Sequence, residues 1–161
     1  MRLRSVQHQC PPGDPINAEL DLAVNSLEAI VSELRRLAHG MRPSMLDDGL
    51  GPALELMAAD SPIPVHLDVA EVSASETVVT TAYFVVAEAL ANALKHSGAT
   101  NVDVHISAVD DRLGVAVSDD GTGGAQPGFG LTAIHDRVAA LGGTFVMEST
   151  PTQGTRIEVL L

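Results

Sequence analysis

The segment Phe84-Val-Val-Ala-Glu-Ala-Leu-Ala-Asn-Ala-Leu-Lys-His-Ser97 decides how this chain folds. Three polar side chains, Glu88, Asn92 and Lys95, follow one another at positions i, i+4 and i+7 of a helix and therefore share one face. We predict a long helix over residues 75–96 whose opposite face is buried. That buried face consists of Val78, Ala82, Val85, Val86, Ala89 and Ala93.

The polar stripe on this helix has two interpretations. Polar residues on a helix that is otherwise apolar commonly form its solvated face. A carboxylate and an amide one turn apart can also serve chemistry. The Asn92 amide oxygen suits a hard cation such as Mg²⁺, and Glu88 could act as a base or orient a water molecule.

The remaining periodicities predict one mixed sheet covered on one face by helices. Alternating apolar and polar residues indicate strands, and helical spacing after the glycine-rich stretch indicates a further helix. The fold class is an α/β two-layer sandwich preceded by a helical segment. The predicted strands are 64–69, 101–107, 112–118, 144–149 and 155–161, and the further helix is 131–141.

The sequence predicts that the first third of the chain is helical. Residues 11–15, Pro-Pro-Gly-Asp-Pro, form a turn, after which apolar residues repeat with heptad spacing over a predicted helix 16–41. A second, short helix is expected over 46–59. We predict two parts: 1–59, a helical segment with a connector, and 60–161, the sandwich domain.

The composition of the chain excludes some classes of function. The 161 residues carry 9 Lys plus Arg against 21 Asp plus Glu, a formal charge of −12. Such a chain repels a phosphate backbone, so nucleic acid is not an expected partner. Aromatic residues make up only 2% of the chain, which disfavours base-stacking surfaces. A lone cysteine and the lack of a signal peptide predict a soluble, cytoplasmic location.

A glycine-rich loop is a second feature that could form a ligand site together with the polar stripe. Residues 119–130 contain five glycines and one proline, directly after a predicted strand and before a predicted helix. Glycine-rich backbone at a helix N-terminus favours bound phosphate. The loop lacks the Gly-Lys-Ser or Gly-Lys-Thr of a P-loop and the Gly-x-Gly-x-x-Gly spacing of a dinucleotide fold. A surface loop without a ligand is the alternative.

The motifs together resemble a known family. The helix with Glu88 and Asn92 resembles the N box of histidine-kinase ATPase domains. Asp119-x-Gly121-x-Gly123 is similar to the G1 box, Gly128-x-Gly130-Leu131 to the G2 box, and Gly154-Thr155 to the final glycine box. This order resembles the Bergerat ATP-binding fold of gyrase, Hsp90 and MutL. The short lid between Gly124 and Gly128 resembles sensor kinases of the NarX and DesK type.

The resemblance implies roles for individual residues. Asp119 would accept the adenine amino group, with Gly121 and Gly123 letting the base lie against backbone. Asn92 would be the Mg²⁺ ligand and Glu88 the base or polariser for an attacking imidazole. The other implied nucleotide contacts are Lys95, Gly128, Gly130, Leu131 and Thr155. The implied reaction moves the γ-phosphoryl group of ATP to a histidine.

One departure from the family concerns the phosphoacceptor. Kinases of this type carry it in a His-Asp motif on a first helix, and no His-Asp pair precedes the helix 16–41 here. Residues 34–43 resemble the second helix of the dimerisation and phosphotransfer hairpin. We therefore expect the chain to begin just after the acceptor. His39 is interpreted as a helix-surface residue.

The resemblance also implies partners. These are ATP, the receiver domain of a response regulator, and a second copy bound through the helical segment of an intact kinase that could be membrane-anchored. Two alternatives stay open at this point. One is a non-catalytic ATP-binding module that pairs with a kinase or response regulator, and the other is an anti-sigma-type serine kinase of the same fold.

Overall fold

The computed structural model describes residues 43–126 and 128–161. The predicted turn at 11–15, the helix 16–41 and His39 lie outside the described residues. The described elements are a 3-10 turn Ser44–Leu46, three helices and five strands. The helices are α1 Leu50–Ala59, α2 Glu76–Asn92 and α3 Phe129–Ala140, and the strands are β1 Val65–Val69, β2 Val102–Val109, β3 Arg112–Asp119, β4 Thr144–Ser149 and β5 Thr155–Leu160.

The five strands form one mixed sheet in the order β1-β2-β3-β5-β4. β1 runs parallel to β2, and the other neighbours are antiparallel. β2 and β3 form a hairpin, whose turn residues Asp110 and Asp111 both have positive φ (49° and 62°), as a type I′ turn requires. The predicted mixed sheet with helices on one face is confirmed.

The sheet buries one face against the helices. Alternate residues along each strand point to the same side, so the pattern of burial follows a period of two. In β2 the buried side chains are Val102, Val104 and Ile106, and their neighbours Asp103 and His105 are exposed. The core between sheet and helices is mostly aliphatic, and Tyr83 and Phe84 are its buried aromatic residues.

Helix α2 is the central core helix. It begins at the N-cap Ser75, whose Oγ accepts a hydrogen bond from Val78 N (3.4 Å). It continues through a π-turn, Ala93–Ser97, and ends at Gly98 in the left-handed conformation. The helical residues Glu76–Ser97, 22 in all, are long enough to span a membrane, and an 18-residue window within them has a mean hydropathy of 1.4. However, 56% of that window is buried inside this domain. Burial against the sheet accounts for its apolar character.

The segment before the first strand differs from the prediction of one helix over 46–59. The helix is split, because Gly49 has φ 101° and separates the 3-10 turn from α1. Leu46 and Leu54 are fully buried in the same core as α2, and Tyr83 Oη donates to Met45 Sδ (3.1 Å). The domain boundary near residue 59 stays a prediction.

Two leucines of α1 provide a test of how firmly this helix belongs to the core. Leu54 is 1% exposed and Leu56 is 58% exposed. We expect Leu54→Ala to lower the free energy of unfolding by about 2–5 kcal/mol, because it leaves a cavity. The same substitution at Leu56 should change it by less than about 0.5 kcal/mol. Denaturant unfolding of both variants measures the difference, and equal effects would contradict the assignment of α1 to the core.

Candidate active site

The adenine-reading residue predicted from sequence, Asp119, ends strand β3. It pairs across the sheet with Thr155 of β5 and is half-buried. Its Oδ1 accepts the Gly121 N–H at 2.9 Å. None of the described residues donates a hydrogen bond to Oδ2. One carboxylate oxygen therefore shapes the loop, and the other remains available to a ligand.

The loop after Asp119 is attached to the end of helix α2. Thr122 N donates to the Ser97 carbonyl oxygen at 2.8 Å, and Gly121 is buried against Ser97. Ser97 itself is 8% exposed. Its Oγ donates to Ala93 O (2.8 Å) and accepts from Ala99 N (3.0 Å). The structure thus brings the G1 loop to the same end of α2 as Asn92 and Lys95.

A second attachment involves Asp120, which is not among the site residues predicted from the sequence. Its Oδ1 accepts from Thr100 N (2.7 Å) and Asn101 N (2.9 Å), and its Oδ2 accepts from Thr100 Oγ1 (2.6 Å). These hydrogen bonds, led by the one from the Thr100 hydroxyl, lower the pKa of Asp120 below its usual value. An acidic residue directly before a glycine turn is the signal that could have indicated this role.

The polar stripe on α2 is not a uniformly solvated face. Glu88 is 8% exposed and Asn92 is half-buried, whereas Lys95 is exposed. The Glu88 carboxylate lies against Gly130 in the first turn of α3, so closely that a Cβ on Gly130 would overlap Glu88 Oε1. A carboxylate is favoured there, since the N-terminus of a helix carries partial positive charge. Burial distinguishes Glu88 from a solvated surface residue.

The G2 residues lie at the start of α3. Gly128 is its exposed N-cap, and its carbonyl oxygen accepts from both Thr132 N (3.0 Å) and Thr132 Oγ1 (3.1 Å). Gly130 is half-buried beside Glu88. Leu131 is 7% exposed and belongs to the hydrophobic core, so it anchors the first turns of α3 to that core.

The final glycine box closes the loop from the β5 side. Gly154 has φ 74°, and a side chain there would overlap the Asp119 carbonyl oxygen. Thr155 Oγ1 lies 2.9 Å from Ser149 Oγ. Gly123 lies against Thr150 in the turn between β4 and β5. The G1 loop, the final glycine box and the end of α2 therefore meet at one end of the sheet, whereas the G2 glycine Gly130 contacts Glu88 farther along α2.

Comparison with known proteins identifies the domain. Residues 77–161, more than half of the chain, match the family of histidine kinase-, DNA gyrase B-, and HSP90-like ATPases. The chain belongs to this family. Its described part is an ATP-binding catalytic domain of the type found in two-component sensor histidine kinases.

The individual relatives that the chain matches are consistent with this family assignment. The chain is 37% identical over 144 residues to the signal transduction histidine-protein kinase/phosphatase UhpB of Salmonella typhimurium, covering 82% of this chain and 28% of UhpB. It is 31% identical to the sensor histidine kinase NarS of Mycobacterium tuberculosis, covering 93% of this chain and 37% of NarS. The chain thus spans well under half the length of these relatives.

A solved structure supports the fold. The histidine kinase domain of the Erythrobacter litoralis EL346 blue-light activated histidine kinase superposes with a TM-score of 0.64 at 19% identity. The match covers 99% of this chain and 92% of that domain. At this identity the likeness concerns the fold alone.

The close contact between Gly130 and Glu88 predicts the effect of a methyl group. We expect Gly130→Ala to lower the free energy of unfolding by about 1–3 kcal/mol, because the new Cβ must displace the carboxylate or the first turn of α3. Gly128→Ala is the matched control, since its Cβ would meet nothing within 4 Å. Thermal and denaturant unfolding measure both. Adding Glu88→Ala should recover part of the loss, and a double mutant with strictly additive losses would contradict the contact.

The hydrogen bonds of Asp120 predict a pH dependence. Because the folded-state pKa is lowered, the stabilisation is complete above the unfolded-state value of about 3.9 and is lost as the pH falls through the folded-state value. The melting temperature of the wild type should exceed that of Asp120→Ala most at neutral pH, and the gap should shrink below about pH 4. Asp120→Asn keeps a carbonyl acceptor without titrating, so its melting temperature should stay above that of Asp120→Ala at low pH. A gap that is the same at pH 7 and pH 3 would refute this role.

Proposed function

We propose that this chain is the ATP-binding catalytic part of a two-component sensor histidine kinase that transfers the γ-phosphoryl group of ATP to a histidine for relay to a response regulator. The observation that carries the proposal is the hydrogen bond from Thr122 N to the Ser97 carbonyl oxygen, which attaches the loop after Asp119 to the end of the helix that carries Glu88 and Asn92. On this proposal the Asp119 carboxylate reads the base, and the helix face with Glu88 and Asn92 carries the phosphate chemistry.

Base recognition is assigned to Asp119. With Oδ1 occupied by Gly121 N, Oδ2 is the acceptor for the adenine amino group. Thr155, its partner on β5, lines the same pocket. The backbone of Gly121 and Gly123 forms the surface against which the base lies.

Phosphate chemistry is assigned to α2 and the start of α3. Asn92 would hold Mg²⁺ through its amide oxygen, and the ion when bound supplies positive charge to the phosphates. The described residues contain no group of three or more His, Cys, Asp or Glu able to hold a metal. This fits an ion that takes few protein ligands and keeps phosphate and water oxygens. Lys95, Gly128 and Gly130 are proposed phosphate contacts.

Glu88 is proposed as the base or polariser for the incoming imidazole. Its burial beside the α3 N-terminus fixes the carboxylate and limits its access to water. A base in a fixed position can accept the imidazole proton as the nitrogen attacks the γ-phosphorus and the β–γ bridging bond breaks. The phosphoacceptor histidine is proposed to lie on a helix that this chain does not contain, so the chain alone is expected not to autophosphorylate.

The wider setting follows from the family. In an intact kinase we propose a homodimer through the helical segment, a cytoplasmic location for this domain, and a response-regulator receiver domain as the phosphoryl acceptor. The high negative charge argues against nucleic acid as a partner. The non-catalytic interaction module remains the competing function.

Calorimetric titration of the chain with ATP, with and without Mg²⁺, tests the site. Asp119→Asn should weaken binding at least about ten-fold, since its amide nitrogen would oppose the adenine amino group while its oxygen still accepts from Gly121. Asn92→Ala should abolish the gain in affinity from Mg²⁺. The control is Asn101→Ala, whose wild-type side chain donates a hydrogen bond to Asp103 Oδ2 (3.2 Å) on β2; this variant should bind ATP like the wild type.

Phosphoryl transfer separates the two functions. Radiolabelled ATP, the chain and a separately purified acceptor hairpin from a NarX-type kinase should yield phosphohistidine, and Glu88→Gln should lower the rate by about 10²–10⁴-fold with ATP affinity little changed. ATP binding without any transfer, by a chain shown to bind the hairpin, would favour the interaction module. Absence of ATP binding by the folded chain would reject the proposed function.

A further inference from the structure

The end of β4 and the turn between β4 and β5 also form hydrogen bonds with the glycine-rich loop. Thr152 N donates to the Thr122 carbonyl oxygen at 2.7 Å. Ala125 N donates to the Ser149 hydroxyl oxygen at 2.9 Å. The backbone after the G1 glycines is therefore fixed by a side chain that belongs to none of the family motifs found in the sequence.

Ser149 also belongs to a row of polar side chains across the sheet. It pairs with Thr155 on β5, and Thr155 pairs with Asp119 on β3. Directly opposed residues of antiparallel strands point to the same face. Ser149, Thr155 and Asp119 thus stand side by side on the helix-covered face, and all three are half-buried.

The Ser149 hydroxyl has one proton to give. Its oxygen accepts from Ala125 N, and the proton can go to Thr155 Oγ1 at 2.9 Å or to Gly154 O at 3.5 Å. The shorter contact lies near the optimum for an O–H···O bond, and the longer one lies outside it. If Ser149 donates to Thr155, the Thr155 proton is not used in that contact and is free to be donated on the side of Asp119, the partner of Thr155 across the sheet.

We propose that Ser149 is a positioning residue that makes Thr155 a hydrogen-bond donor to the base and thereby selects adenine. This inference rests on the proposed function. Beside its amino group adenine presents a ring nitrogen that accepts a hydrogen bond, whereas guanine presents a carbonyl oxygen and a ring N–H donor at the corresponding positions. A Thr155 hydroxyl fixed as a donor suits the first pattern and opposes the second.

Calorimetry with ATP and GTP tests the proposal on the full chain. Ser149→Ala should weaken ATP binding about three- to ten-fold, the loss of about one hydrogen bond, and should lower the ATP-to-GTP affinity ratio, because Thr155 regains the freedom to accept. Ser149→Thr keeps the hydroxyl and should retain the wild-type ratio. Ser73→Ala, at an exposed loop position, is the matched control and should bind like the wild type.

A Thr155→Val background separates positioning from support of the loop. In that background Ser149→Ala should change ATP affinity by less than about two-fold, since the hydroxyl that it orients is gone. Equal losses in both backgrounds, or equal losses for ATP and GTP, would overturn the proposal and leave Ser149 as an anchor for Ala125 alone. Circular dichroism establishes that each variant is folded. Absence of ATP binding by the folded wild type would instead reject the proposed function, and this inference with it.

Discussion

The hydrogen bond from Thr122 N to the Ser97 carbonyl oxygen, 2.8 Å long, joins the glycine-rich loop to the end of α2. On one side is the end of α2 with the Asn92 amide and the Lys95 amine, and on the other is the loop that follows the Asp119 carboxylate. Ser97 can offer this carbonyl because the π-turn Ala93–Ser97 and the left-handed Gly98 end the helix there. π-Turns leave the regular i to i−4 pattern and often occur at functional sites.

The glycine-rich loop is also held by hydrogen bonds from side chains. A glycine-rich segment has high conformational freedom, and fixing it in one conformation costs entropy. Asp120 holds its first turn to the loop after α2, and Ser149 holds its exit at Ala125. These contacts are polar and lie outside the hydrophobic core.

Glu88 shows how packing changes the meaning of a sequence position. On a helical wheel it belongs to a polar stripe with Asn92 and Lys95, yet it is buried and Lys95 is exposed. The difference arises because α3 crosses this part of α2 and brings Gly130 against the carboxylate. Since glycine has no side chain at that contact, the carboxylate fits beneath the first turn of α3.

The sequence by itself determined the order and type of the described elements, because alternation and helical spacing report burial directly, and glycine and proline mark the turns. Even so, the helix expected over 46–59 is split at Gly49, since one residue with positive φ interrupts a helix whose apolar spacing continues through it. The four motifs and their order also came from the sequence. Only the tertiary structure decided which side chains meet: Asp120 with Thr100, Ser97 with Thr122, and Ser149 with Thr155. These partners are serines, threonines and a surface carboxylate with no periodic pattern. They come together because the strand register and the end of α2 at Gly98 bring these segments to one end of the sheet.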